Sequence, residues 1–400
     1  MTHSPIDLGA DAVRALAARW LPCLGDGDFV VSPVGLWLAL GAVASGARGA
    51  TADELRGLLG VEGEAAGEAV TRVGRWIDGT GAVGVATGVW STVPVLDAFK
   101  RGLPDVTFGL LPGAVAFALP DEVFGATDDM SFGELPDTQA ELDAWVRAAT
   151  GGRIERLPLG LDGSEDLVLL NALALKAPWL TAFPGHLTRD EPFTDGDGVT
   201  RPVPTMRQRI PAGWVWYVDG ATVVELPCAG DGGVRVRFVL GAPGAGPADV
   251  VPAAWAAPRA RRPLAADSAD LALPRFTLRT KTDANAHLAA LGVTRALAPG
   301  AEFPGLSAAD LYIDKVVQEA VVEVAEEGVE AAAVTQVTMT RSAARPRQVV
   351  ERVAFDRPFG VVVLDGTGEV PLFVGWRRGG GHPVSRLRGS ALRLIGRPDS

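Results

Sequence analysis

Few residues in this 400-residue chain are spaced for catalysis. The four histidines, His3, His186, His287 and His382, fall in the N-terminus, in loops or in a helical segment, where no acid–base or metal-site pattern is evident. No serine sits in a G-x-S-x-G elbow, and neither H-E-x-x-H nor G-x-x-x-x-G-K-[ST] occurs. One G-x-G-x-x-G, Gly79 to Gly84, has no strand before it and no clear helix after it, so its glycines read as turn residues rather than a dinucleotide cradle. The acidic "TDGDGVT" lacks the ligand count of a calcium loop and reads as a hairpin turn. Asp128 and Asp129 read as a solvated loop. Cys23 and Cys228 lie far apart without CxxC or metal-ligand spacing. They are expected to be buried free thiols, a long-range disulfide being the alternative.

What the chain does offer is the chemistry of a substrate. In "EEGVEAAAVTQVTMT", Glu326 to Thr340, alternate residues Val329, Ala331, Ala333, Thr335, Val337 and Met339 are small or apolar, the code of a half-buried strand. It runs straight into "RSAARPRQ", an Arg-rich, cleavable stretch that reads as exposed loop.

The elements that must carry such a segment are legible from pattern. With 48% hydrophobic and 21% charged residues the chain can bury a large core, and its formal net charge of -11 argues against a nucleic-acid partner. The short basic runs at "PRARRP" and in the tail read as solvated loop. No basic start followed by an apolar run marks a signal peptide, and no apolar stretch reaches the length of a membrane span, so a soluble, cytoplasmic protein is expected. "DLGADAVRALAARWL" has the spacing of an amphipathic helix; Ser32 and Pro33 open a second, and a third runs from a capping Thr51 to a stop at Gly60. The first third is expected to be mostly helical. Val- and Leu-rich segments from "LVLLNALALKAPW" to "PLFVGW" follow, giving an α+β fold with large, mostly antiparallel sheets. The Ala/Pro/Gly-rich "GAPGAGPADVVPAAWAAPRARRPLAAD" reads as an irregular excursion within one domain, and residues 379–400 as a disordered Gly/Arg-rich tail.

Several of these segments, taken together and in order, resemble the serpins. "FVVSPVGLWLALGAVASGARGATADELRGLLG" resembles the family's helix B and its continuation, and "LDAWVRAATGGRIERL" its helix F. "LVLLNALALKAPWLTAF" is similar to the Asn-Ala, Lys and Trp signature beside the central sheet. "VPTMRQ", "VVELP", "LPRFTLRTKTDANAHLAALGV", "LYIDKVVQEAVVEVAEEGVEAAAVT" and "FDRPFGVVVLDGTGEVPLFVGW" follow in family order. The chain departs from the family with Gly35 for a second Ser, Gln318 for His, Leu175 and Ala177 for Phe and Gly, Cys228 for Tyr, and Asp143 and Ala325 for Asn. The region between Phe99 and Trp145 is also longer and less regular than in the family. The resemblance implies a divergent, bacterial-type member: one serpin-like domain over residues 1–378, with helices packed on the sheets and an exposed reactive-centre loop at about 326–348.

It also implies a function. The chain would be a monomeric suicide-substrate inhibitor that forms a covalent complex with a serine protease, without catalytic residues, cofactor or metal of its own. The alternative is a non-inhibitory binding protein of the same fold. The implied hinge is Glu326, Glu327, Gly328, Val329, Glu330, Ala331, Ala332 and Ala333, whose small residues and lack of proline suit entry into a sheet. Sheet opening would be governed by Ser32, Asn171, Lys176, Trp179 and Gln318, with Gln318 completing a polar cluster with Ser32 and Asn171. Loss of the hydroxyl at Gly35 is expected to loosen that control. Because alternation ends at Thr340, the reactive bond is assigned to Arg341–Ser342, a trypsin-like site, with Ser342–Ala343 and Arg347–Gln348 as the next choices.

Overall fold

The computed structural model describes residues 10–111, 138–156, 165–175, 177–230, 232–328 and 348–379. The chain opens with helix α1 (Ala10–Trp20), which buries Val13, Leu16, Ala17 and Trp20, the inward stripe of an amphipathic helix. After β1 (Phe29–Val31) comes α2 (Pro33–Ala44), capped by Ser32, whose hydroxyl accepts from the Gly35 N–H. All of α2 is buried, so it is apolar all round. Helix α3 (Gly49–Leu59) ends at Gly60, left-handed at φ 72°. Its start differs from expectation: Thr51 lies inside the first turn, and the carboxylate of Glu302 takes the Ala50 N–H at 2.9 Å. A cap supplied from so far along the chain leaves no local signal.

Helix α4 (Gly63–Gly79) and strand β2 (Val83–Ser91) flank Gly81, φ 63°, so the glycine motif is indeed a helix-to-strand turn. Then come α5 (Asp97–Arg101), β3 (Thr107–Leu110), α6 (Thr138–Ala149) and β4 (Leu167–Leu175). Among the described residues the first third is mostly helical, as expected; strand β2, diluted by Gly84 and Gly88, is the main exception. Gly88 is required there: a Cβ would overlap the Trp90 ring. Strands β5 (Arg189–Thr194) and β6 (Thr200–Pro211) form the expected hairpin, its turn held by the Asp195 carboxylate accepting from the N–H groups of Asp197 and Val199.

Strands β7 (Val215–Val218), β8 (Ala221–Pro227) and β9 (Arg235–Leu240), the short α7 (Pro247–Val250), and strands β10 (Arg262–Pro263), β11 (Ser268–Pro274) and β12 (Phe276–Asp283) lead to α8 (Asn285–Ala290). Strand β13 (Lys315–Val324) comes before residues 329–347, which lie outside the described residues, and β14 (Val350–Ala354), β15 (Phe359–Leu364) and β16 (Pro371–Arg377) come after them. Three sheets result: a five-stranded one ordered β12-β13-β4-β2-β3, a seven-stranded one ordered β1-β16-β15-β9-β8-β7-β10, and a four-stranded one ordered β14-β11-β6-β5. All pairings are antiparallel except β13 with β4, β2 with β3, and β11 with β14. The Ala/Pro/Gly-rich excursion returns through β10 to the edge of the seven-stranded sheet. A main core joins α1 to α4 to the sheets, and a second, smaller cluster under α6 packs Leu142, Val146 and Ile154 against β4 and β13. Both cysteines are free; Cys228 is buried as expected, but Cys23, in the turn after α1, is half-buried. The tail from residue 380 lies outside the described residues.

Candidate functional site

Strands β4 and β13 lie side by side and parallel, from Val168 opposite Lys315 to Ala174 opposite Val321, while each is antiparallel to its outer neighbour β2 or β12. Both strands are buried along almost their whole length: "LVLLNALAL" is a nearly continuous apolar run, whereas "KVVQEAVVEV" buries Gln318 and Glu319 among its valines. The seam between them is pinned at its start. The Asp314 carboxylate accepts from the N–H groups of Asp166 at 2.7 Å and Leu167 at 3.0 Å, and Lys315 pairs with Glu165 at 3.7 Å. At the other end the ladder stops at Val321 and Ala174.

Beyond that end the chain turns back on itself. The Gly328 N–H donates to the Ala325 carbonyl at 3.2 Å, and Gly328 makes antiparallel bridges both to Ala325 and to Pro178. It therefore sits between the continuations of β13 and β4. Only glycine fits: φ is 111°, and a Cβ would stand 2.6 Å from the Trp179 nitrogen. The neighbours fix this turn. Glu327 and Glu326 offer their carbonyls to the N–H groups of Trp179 (3.2 Å) and Phe183 (2.7 Å). The Trp179 indole donates to the Ala325 carbonyl at 2.9 Å. The Glu326 carboxylate takes the Thr188 hydroxyl at 2.9 Å and faces Arg275 at 3.5 Å.

Midway along the seam lies a fully buried polar cluster. The Gln318 side chain accepts from the Ser32 N–H at 2.7 Å and donates to the Ser32 carbonyl at 2.9 Å, closing a two-bond ring with the cap of α2. The Ser32 hydroxyl donates to the Leu372 carbonyl at 2.6 Å. Asn171 instead donates to its outer neighbour β2, at the Thr87 hydroxyl (3.0 Å) and the Ala86 carbonyl (3.3 Å). The one side-chain link across the seam in this cluster is Gln318 to Asn171, the longest of its contacts to another side chain at 3.3 Å. Gly35 has a different place from a missing hydroxyl: a Cβ there would overlap Asn171 Oδ1 and Leu173 Cδ1, so the glycine admits the Asn171 amide against α2.

The structure thus brings Ser32, Asn171 and Gln318 together, and sets Trp179 on Ala325 and Glu327, beside Glu326 and Gly328, at the mouth of the seam. Lys176, Val329, Glu330, Ala331, Ala332, Ala333, Arg341 and Ser342 lie outside the described residues. Sequence reasoning missed Thr87, Thr188, Arg275 and Asp314, whose roles depend on contacts across strands with no local pattern. Nothing in the cluster titrates, and burial pushes the Cys228 thiol up to about 12, so it is held as the unreactive thiol. Among the described residues no group of His, Cys, Asp and Glu is arranged for a metal, and no helix is long and apolar enough to cross a membrane.

The family model "Serpin (serine protease inhibitor)" matches residues 4–377. The chain is 30% identical over 370 residues to the leukocyte elastase inhibitor of Bos taurus, covering 87% of this chain and 92% of that one. It is 31% identical over 399 residues to Serpin-Z2B of Oryza sativa subsp. japonica, covering 88% and 92%. Among solved structures it superposes on Serpin48 of Tenebrio molitor with a TM-score of 0.74 at 24% identity, covering 92% and 97% of the two chains. An Arabidopsis serpin in its native stressed conformation gives 0.74 at 21% identity, covering 94% and 98%. Sequence and fold agree with the geometry: this chain belongs to the serpin family.

Proposed function

We propose that the protein is a suicide-substrate inhibitor of a trypsin-like serine protease. The observation that supports this best is the position of Gly328, bridged antiparallel to the continuations of both β4 and β13. Gly328, the last described residue before the hinge segment continues, stands at the mouth of a parallel seam. A strand entering there replaces one parallel pairing with two antiparallel ones, and antiparallel ladders are the more stable per residue. From Val329 to Thr340 the segment has no proline, so every backbone N–H can join.

In the proposed reaction the protease's serine oxygen attacks the Arg341 carbonyl carbon. The Arg341–Ser342 bond breaks, the Ser342 amine leaves with a proton, and an ester joins Arg341 to the protease. Water would normally cleave that ester. Entry of the loop drags the protease away first, and displacing its catalytic groups by about an ångström slows deacylation roughly a hundredfold. Each half of the seam keeps most of its polar contacts as it opens, Gln318 on Ser32 and Asn171 on β2.

Incubation with trypsin, read on a denaturing gel, tests this. A stable complex whose released fragment begins at Ser342 is expected. A fragment beginning at Gln348 moves the bond to Arg347, and one beginning at Ala343 replaces the target class with a protease accepting small residues. Complete cleavage or no reaction across a panel of serine proteases contradicts the inhibitor reading in favour of a non-inhibitory binding protein.

A further inference from the structure

The "PRARRP" run is more than solvated loop. Arg261 lies over the Trp216 ring at 4.8 Å, anchored by its Nε donating to the Ala256 carbonyl at 3.1 Å, and Arg262 lies over the Tyr217 ring at 5.3 Å. Stacking on an aromatic face fixes a guanidinium flat and leaves its N–H edges available. Arg259, three residues before, is exposed. None of the three forms an ion pair with a described residue, in a chain whose net charge is -11. The acids nearby are engaged: Glu225 holds Arg235 and Arg237, Glu351 accepts from the Tyr217 hydroxyl at 2.6 Å, and Asp267 accepts from the Val349 N–H at 2.8 Å. Those last two bonds tie Tyr217, the ring under Arg262, and Asp267, five residues after Arg262, to the stretch that begins at Val349.

On the reading of the loop as protease bait, we propose that Arg259, Arg261 and Arg262 form a docking face for an acidic surface of the target protease. The arrangement suits this use. The Arg341–Ser342 bond lies seven residues before Val349, at most about 25 Å along an extended chain. A compact protease domain is roughly 40 Å across, wider than that reach, so one bound at that bond is large enough to touch the patch. Pre-fixed like charges beside the bait raise the rate of encounter with an oppositely charged partner, an effect that salt screens.

The probes are an anionic and a cationic trypsin, which share a specificity and differ in surface charge. The readout is the second-order rate of loop cleavage, measurable whether the protease is afterwards trapped or released, so failure of trapping and failure of docking are distinguished. At low ionic strength the protein is expected to react three- to tenfold faster with the anionic trypsin, and 0.5 M salt is expected to abolish the difference. The Arg259→Gln/Arg262→Gln variant is expected to lose that advantage through a slower rate with anionic trypsin, while its rate with cationic trypsin does not fall and its thermal midpoint stays unchanged. The salt dependence of the parent alone decides the matter if the variant fails to fold. Equal parent rates with the two trypsins at low salt overturn the proposal. So does retention on a sulfated polysaccharide that the variant loses without any change in trypsin rates, which assigns the patch to a polyanion instead.

Discussion

The seam between β4 and β13 and the aromatic cluster around Phe359, which draws on all three sheets, are both buried β-structure, built to opposite ends. Around Phe359 the rings of Phe193, Phe238, Phe276 and Phe355 meet at centroid distances of 5.2 to 6.4 Å, mostly edge to face, locking β9, β12 and β15 together. The seam's parallel register holds no aromatic ring: Ala172, Ala174, Ala320 and Val321 stand in it beside Leu169, Leu170 and Leu173. Only one long side-chain bond of its polar cluster crosses it. Large interlocked rings cannot separate without leaving cavities, whereas aliphatic side chains on paired backbones can part and pair again with a new strand. On the proposed function, the aromatic cluster stays rigid while the seam is the place where a strand is expected to enter.

The sharpest way to break that contrast is to load the entering strand. Val329→Arg places a charge on the face that insertion buries, at a cost of several kcal/mol, and is expected to convert the protein from inhibitor to substrate. Stoichiometry of inhibition, measured by titrating protease, should rise at least tenfold with the fold intact; parity with the parent rejects the assignment of the seam. Phe359→Ala should act the other way, destabilising intact and loop-cleaved forms alike by about 3–5 kcal/mol in denaturant unfolding, because its partners stay put in both.

Much of this was legible in the chain. The helix α1 stripe, the Ser32–Pro33 start and the Gly60 stop are local codes, and the structure places them as read. The pairing of Ser32, Asn171 and Gln318 came from family resemblance, since residues 286 positions apart carry no spacing signal. The steric reason for Gly35, the close approach of Asn171, has no local signal, because it exists only once β4 packs on α2. The Asp314 staple and the Glu302 cap were missed for the same cause: a carboxylate bonding remote N–H groups looks like any surface acid in sequence.

Gly35→Ser sharpens the comparison at the seam itself. Overpacking against Asn171 should cost about 1–3 kcal/mol in the intact form, and Asn171→Ala in the same chain should recover part of it. Independent losses in a double-mutant cycle would contradict the contact. The smallest effect expected is one of pH. The Trp20 indole donates to His287 Nδ1 at 3.0 Å, and burial lowers the His287 pKa, with Asp283 opposing. The folded value lies below the unfolded one of about 6.5, so the unfolded chain takes the proton first. Stability is complete above that pH and declines as pH falls below it. Thermal midpoints from pH 7 to 5 should fall less in His287→Gln than in the parent, while the stoichiometry of inhibition stays flat, because no group in the seam cluster titrates.

The central claim is that the seam takes in the strand that follows Gly328, and its most direct measurement is the thermal midpoint before and after one verified cut at the reactive bond. Insertion adds a fully paired central strand, and the midpoint is expected to rise by roughly 10 °C or more. An unchanged or lower midpoint in the cleaved protein would contradict the account.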